Sequence, residues 1–261
     1  MTALTGATLA DAGFDAVALK PAEVDVTRAT GVSVETLTID YEGREFVPDA
    51  ETLRALAAER DLRVTVPVRA DGYDPRGDDS LLRAIPDDVG VVAVAGNGAY
   101  LDDHERARAV APRLGAVAAA AADPWVGTEG VERIALAVGG TQYELLSSRT
   151  EHDVRGLRAA GFDGDIAVYA PTVLTEDEDA VLDAVGAYAA RRPAVGGTLS
   201  DDAPTDSTAT GATRQSLLEG CREYALVGGV ETVGERIERL RDVGVDHVVG
   251  YPARGLDPFL D

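Results

Sequence analysis

Residues 223–252, EYALVGGVETVGERIERLRDVGVDHVVGYP, decide the fold. A short apolar run leads into the pair Gly228-Gly229, and an amphipathic segment follows. Val233, Ile237, Leu240 and Val243 recur at the spacing of one helical face, while Glu235, Arg236, Glu238, Arg239 and Arg241 cover the other. Gly244 stands where a helix ends in a left-handed residue, and His247-Val-Val-Gly-Tyr-Pro reads as a buried strand. A Gly-Gly turn, a helix and a closing strand form the last repeat expected of a (β/α)8 barrel.

Working outward, seven more apolar runs read as strands: 16–21, 34–40, 63–69, 89–96, 116–122, 134–140 and 165–171. Helices are predicted over 5–13, 49–60, 101–111, within 142–160 and over 175–191. Continuous Val- and Ala-rich runs alternating with helices match parallel strands buried on both faces. A doubly wound open sheet alternates in the same way, but eight units in 261 residues without a second domain favour one parallel (β/α)8 barrel over the whole chain.

Two irregularities stand out. The Gly/Thr/Asp-rich tract within 193–222 is read as a flexible insertion over 196–213, either a cover for the barrel mouth or a plain surface loop. Only residues 252–261 follow Tyr251, too few for an eighth outer helix. Either the helix over 5–13 fills that gap or a second copy of the chain does, as a homodimer.

The net charge is −22, and Lys20 is the single lysine among 24 basic residues. Acidic excess with almost no lysine is the composition of a haloarchaeal protein kept soluble in concentrated cytoplasmic salt. It weighs against nucleic acid and anionic membrane surfaces as partners. One cysteine, Cys221, excludes an internal disulfide framework, and His104, His152 and His247 are too scattered for a metal site. No apolar run is long enough to span a membrane, and no signal segment is recognisable, so a cytoplasmic location is expected.

Chemistry in a barrel belongs to strand ends and the loops after them. Those positions read Lys20, Asp40-Tyr41, Arg69, Asp71, Asn97, Asp123 to Trp125, Thr141-Gln142, Tyr169, Thr172, Tyr251 and Arg254. Such a polar and aromatic set suits a planar organic ligand better than a metal. Gly96-Asn97-Gly98, Gly139-Gly140-Thr141 and Gly228-Gly229 each follow an apolar run and precede a helix, the arrangement in which bared amides hold a phosphate. Tight strand-to-helix turns are the plain alternative. Lys20 is a candidate for Schiff-base chemistry or phosphate binding. Asp40 is a candidate general base or ligand anchor.

Three stretches resemble the luciferase-like monooxygenase family of flavin- and coenzyme F-420-dependent oxidoreductases: VAVAGNGAYLDDHERARAV (92–110), IAVYAPTVLTEDEDAVLDAVGAYAARRP (166–193) and ALVGGVETVGERIERLRDVGVDHVV (225–249). The resemblance implies a (β/α)8 barrel binding F-420 or FMN at the C-terminal ends of its strands. Cofactor-phosphate contacts would fall on Gly96–Gly98 and Gly139–Thr141, and an unusual peptide bond near Pro67-Val68. The acid that often closes the second strand carries over as Asp40; the histidine beside it is Tyr41 here, and Lys20 replaces an acid near the first strand. The function so implied is hydride transfer to or from a small organic substrate. A Lys20-dependent aldolase acting on a phosphorylated small molecule is the alternative from the residues themselves, and a non-catalytic flavin-binding relative is a third reading.

Overall fold

The computed structural model describes residues 9–96 and 101–259. Its first half runs β1 (Ala16–Leu19), β2 (Thr36–Ile39), α1 (Ala50–Ala57), β3 (Asp61–Pro67), α2 (Ser80–Ala84), β4 (Gly90–Val94), α3 (Asp103–Ala107) and α4 (Ala111–Ala120). It continues with β5 (Trp125–Gly127), α5 (Glu132–Val138), β6 (Thr141–Leu145), α6 (Thr150–Ala159), β7 (Ile166–Leu174) and α7 (Glu178–Ala190). The last part is α8 (Pro193–Gly196), α9 (Gly211–Tyr224), β8 (Leu226–Gly228), α10 (Val230–Asp242) and β9 (His247–Pro252).

Every named strand pair is parallel, and the order β1 to β6, then β7, then β9 and back to β1 closes an eight-stranded barrel. The short β8 lies outside that ring, paired with Thr172–Leu174, where the long β7 rises past its neighbours. This is the (β/α)8 barrel that the sequence predicts.

Inside the ring, Ala16 and Ala18 on β1 and Ala167 on β7 leave room for Trp125, Tyr143 and Tyr169. Outside it, a continuous apolar layer joins strands to helices. In α10, Val233, Ile237 and Leu240 are almost wholly buried, each stabilising by about 1.5–3 kcal/mol over exposure. Arg63 closes the N-terminal end of the barrel: it donates to Asp61 at 2.9 Å and to the Asp123 carbonyl at 2.8 Å, with its guanidinium 4.5 Å from the Trp125 ring centre.

The structure corrects two strands. Residues 116–120 belong to α4 and 132–138 to α5; the fifth and sixth strands are Trp125–Gly127 and Thr141–Leu145. Runs of alanine carry the highest helix propensity, so an apolar Ala-rich run is helical wherever its neighbours supply strands. The first strand ends at Leu19, two residues before the predicted limit. Leu9 to Gly13 form a turn, and the remainder of the helix predicted over 5–13 lies outside the described residues. Leu9, Ala12 and Phe14 below the barrel and Leu256 and Phe259 above it join the apolar layer. All described peptide bonds, Pro67-Val68 included, are trans.

The tract 193–222 carries α8 and most of α9. Val195 and Ala209 pack with Leu217, Leu218 and Cys221 of α9 against α7. The element over the barrel mouth is α7 itself.

Candidate functional site

The C-terminal ends of β1, β2, β6, β7 and β9 enclose a cavity of about 480 Å³, within the usual range for small-molecule sites. Strand alternation turns Tyr143, Tyr169 and Tyr251 inward, and Lys20 and Asp40 follow directly on their strands. Val94, Leu145 and Pro171 supply apolar wall, while Ala184, Ala187 and Tyr188 of α7 close the top. The helix is held there by an aspartate cap, Asp177, and by Arg192 just beyond its end. Arg192 donates to Tyr188 Oη and, at 3.1 Å, to Glu129.

Asp40 lines this cavity directly after β2. Tyr169 Oη donates to its Oδ2 at 3.2 Å. Burial pushes its pKa up to about 7, and the charge of Lys20 and the Tyr169 hydrogen bond only partly offset that effect. Tyr143 and Tyr169 are pushed well above an ordinary phenol, by burial first and by Asp40 second, so both remain proton donors. Tyr143 Oη and Thr38 Oγ1 are buried facing each other, and neither has another hydrogen-bond partner among the described residues. Tyr251 stacks on Tyr169 with ring centres 6.2 Å apart and hydrogen-bonds Glu23. Lys20 Nζ lies 4.3 Å from the Tyr251 ring centre and 3.5 Å from Glu23 Oε1.

Lys20 and Asp40 therefore meet in one cavity, with Tyr169 and Tyr251 from the same strand-end reading. The glycine turns do not join them. Gly139-Gly140-Thr141 connects the end of α5 to the start of β6, so it lies at the N-terminal face, opposite the mouth. Its premise, a strand before and a helix after, fails because 132–138 is helical. Gly140 is there because its φ is +77° and a Cβ would stand 2.2 Å from the Pro124 carbonyl.

Gly228-Gly229 does link a strand to a helix, and Gly229 caps α10. It opens into a different cavity, of about 410 Å³, where Glu176 already faces Gly229 and Arg236 is spent on the Glu223 and Ala225 carbonyls. Gly96 ends the β4 loop, its carbonyl held by Arg69; Asn97 and Gly98 lie outside the described residues. Asp123, expected at a strand end, precedes β5 at the closed end.

Tyr143 and Tyr188 were not legible as site residues. The alternation Thr-Gln-Tyr-Glu-Leu over 141–145 is the signal that places Tyr143 inside the barrel; nothing in the sequence points α7 across the mouth.

A family model described as "Family of unknown function (DUF7388)" matches residues 9–259. The chain belongs to that family. No curated protein matches this DUF7388 chain. Among solved structures, an F420-dependent secondary alcohol dehydrogenase in complex with an F420-acetone adduct is similar over 93% of each chain, at 13% identity and a TM-score of 0.56. The monooxygenase RslO1 from Streptomyces bottropensis is similar over 87% of this chain and 83% of its own, at 19% identity and a TM-score of 0.49. At such identity the dehydrogenase speaks for the barrel fold alone, and the weaker likeness adds no argument.

Proposed function

We propose that the barrel mouth of this DUF7388 protein binds a planar redox cofactor, coenzyme F-420 or FMN, and that the protein transfers a hydride to or from a small organic substrate. The observation that carries this reading is Asp40: a carboxyl with a pKa near neutrality, hydrogen-bonded by Tyr169, at the floor of an aromatic-walled cavity. The resemblance to the luciferase-like family and the fold shared with an F420-dependent dehydrogenase agree with it.

The residues present fit a tricyclic ring system. Val94, Leu145 and Pro171 offer apolar faces, and Tyr143, Asp40 and Lys20 offer donors and acceptors at an edge. For an anionic tail the rim supplies Arg191. When bound, such a cofactor supplies the hydride acceptor or donor.

The chain supplies the proton chemistry. In the oxidative direction Asp40 as carboxylate takes the hydroxyl proton of an alcohol as its C–H hydride departs, leaving a carbonyl. In the reverse direction the Asp40 acid gives that proton to the carbonyl oxygen. A group titrating near 7 serves both directions. Tyr143 and Tyr169 stay protonated and orient the substrate oxygen, and α7 keeps water from the mouth.

A Lys20-centred aldolase has weaker support. Schiff-base chemistry needs a desolvated neutral amine, whereas Lys20 is engaged as a cation by Glu23 and by the Tyr251 face.

The test is turnover with F-420 or FMN against a panel of small alcohols and carbonyls. Asp40→Asn is expected to lower kcat at least ~100-fold, the usual worth of a general base, with cofactor binding kept. Unchanged turnover in that variant contradicts the assignment, and borohydride trapping of a phosphorylated ketone on Lys20 favours the aldolase instead. Cofactor binding with no turnover of any substrate marks a non-catalytic relative.

A further inference from the structure

A second cleft lies on the outer side of β6, between α5 and α6, with a volume of about 770 Å³. Outward-facing residues of a barrel strand ordinarily pack apolar side chains against the surrounding helices. Here the two outward positions of β6 are Gln142 and Glu144. Gln142 is 1% exposed, lines the cleft, and donates through Nε2 to the Gly140 carbonyl at 3.1 Å, while its Oε1 has no donor. Glu144 has no ion-pair partner among the described residues, and burial, then Asp153 and Glu132, raise its pKa to about 7.

The deep end of the cleft is thus short of donors: the Thr150 hydroxyl bonds Glu144, and Gln142 Oε1 has no donor among the described residues. Arg149 and Arg192 on its wall are committed, to Asp153 at 3.2 Å and to Glu129 at 3.1 Å, and Arg133, also on the wall, makes no ion pair with Glu144 among the described residues. A half-buried carboxylate without a cation and a buried amide oxygen without a donor each carry a cost that a ligand bearing N–H groups removes. A metal ion does not fit, because no three acidic, histidine or cysteine groups gather closely enough among the described residues. The volume exceeds that of an ion, and Leu136 and Leu157 provide aliphatic wall beside the acceptors.

We infer that this cleft binds a small aliphatic amine, whose ammonium group pairs with Glu144 and Gln142 Oε1 and whose carbon chain lies along Leu136 and Leu157. The site is on the opposite side of β6 from the mouth, so the inference stands apart from the redox reading.

The experiment is calorimetric titration of the full chain with n-hexylamine, and with 1-hexanol as an uncharged ligand of the same length. Two variants locate the site. Glu144→Gln keeps the shape and removes the charge. Gly156→Leu places a side chain in the cleft from α6, where a Cβ meets no atom within 4 Å. Saturable hexylamine binding is expected, weakened at least tenfold in each variant with the circular dichroism spectrum unchanged, and kept in Ala184→Trp, which fills the barrel mouth. No saturable binding, equal binding of hexanol, or binding lost in Ala184→Trp but kept in Glu144→Gln overturns the inference.

Discussion

Tyr169 Oη donates to Asp40 Oδ2 at 3.2 Å, joining β7 to the end of β2 across the barrel, 129 positions apart in the chain. The bond favours the carboxylate, so it holds the Asp40 pKa below the value that burial alone would set. Tyr169→Phe is expected to raise that pKa by roughly 1 unit, since a hydrogen bond to a charged group is worth about 1.5 kcal/mol or more. Carbon-13 NMR titration of the Asp40 carboxyl reads the shift directly, and an unmoved titration contradicts the coupling.

Asp40 also makes a stability prediction with a definite sign. Its folded pKa, about 7, lies above the ordinary 3.8. The folded state therefore binds the extra proton between about pH 4 and 7, and this group's contribution declines as pH rises through that window. Above it, ionised Asp40 costs the fold free energy that an amide does not. Asp40→Asn should stabilise the protein by up to about 4 kcal/mol at pH 8 and have little effect at pH 4. Urea unfolding at the two pH values checks it; equal effects at both would refute the burial account.

Gly140 separates a structural turn from a binding one. Alanine there must take φ +77° and displace the Pro124 carbonyl, which should cost about 2–3 kcal/mol. Because the turn lies at the N-terminal face, cofactor affinity of the folded Gly140→Ala protein should be unchanged. A selective loss of affinity without a loss of stability would return this turn to the binding site.

Arg192 ties the end of α7 to Tyr188 and, through Glu129, to the loop after β5. Arg192→Ala should speed hydrogen exchange across Glu178–Ala190 while leaving the strands of the barrel protected. Exchange that rises uniformly would show the arginine to be a general stabiliser with no particular hold on the cover of the mouth.

The barrel was legible because most of its strands announce themselves. Val91 to Val94, Ile166 to Val168 and Val248-Val249 are apolar runs rich in β-branched residues, which suit a strand buried on both faces. The fifth and sixth were hidden for a physical reason. Trp125–Gly127 is three residues long, and Thr141–Leu145 carries Gln142 and Glu144 on its outer face, so neither presents a continuous apolar run. The Ala-rich helices beside them did.

That displacement put Gly139-Gly140 at the wrong end of the barrel and hid Tyr143 within a helix. Lys20 and Asp40 were legible because strand ends are where a barrel keeps its chemistry. The cover was not, since α7 crosses the mouth through its packing against α9, a contact that no local pattern encodes.

The central claim is that the mouth below α7 holds a deazaflavin or flavin ring. Fluorescence titration of the purified protein with coenzyme F-420, and separately with FMN, tests it most directly. The account predicts saturable binding of one of them at micromolar concentration, abolished when Ala184→Trp fills the cavity and kept when Gly140→Ala alters the far end of the barrel. Absence of binding by either cofactor, or binding indifferent to Ala184→Trp, would contradict it.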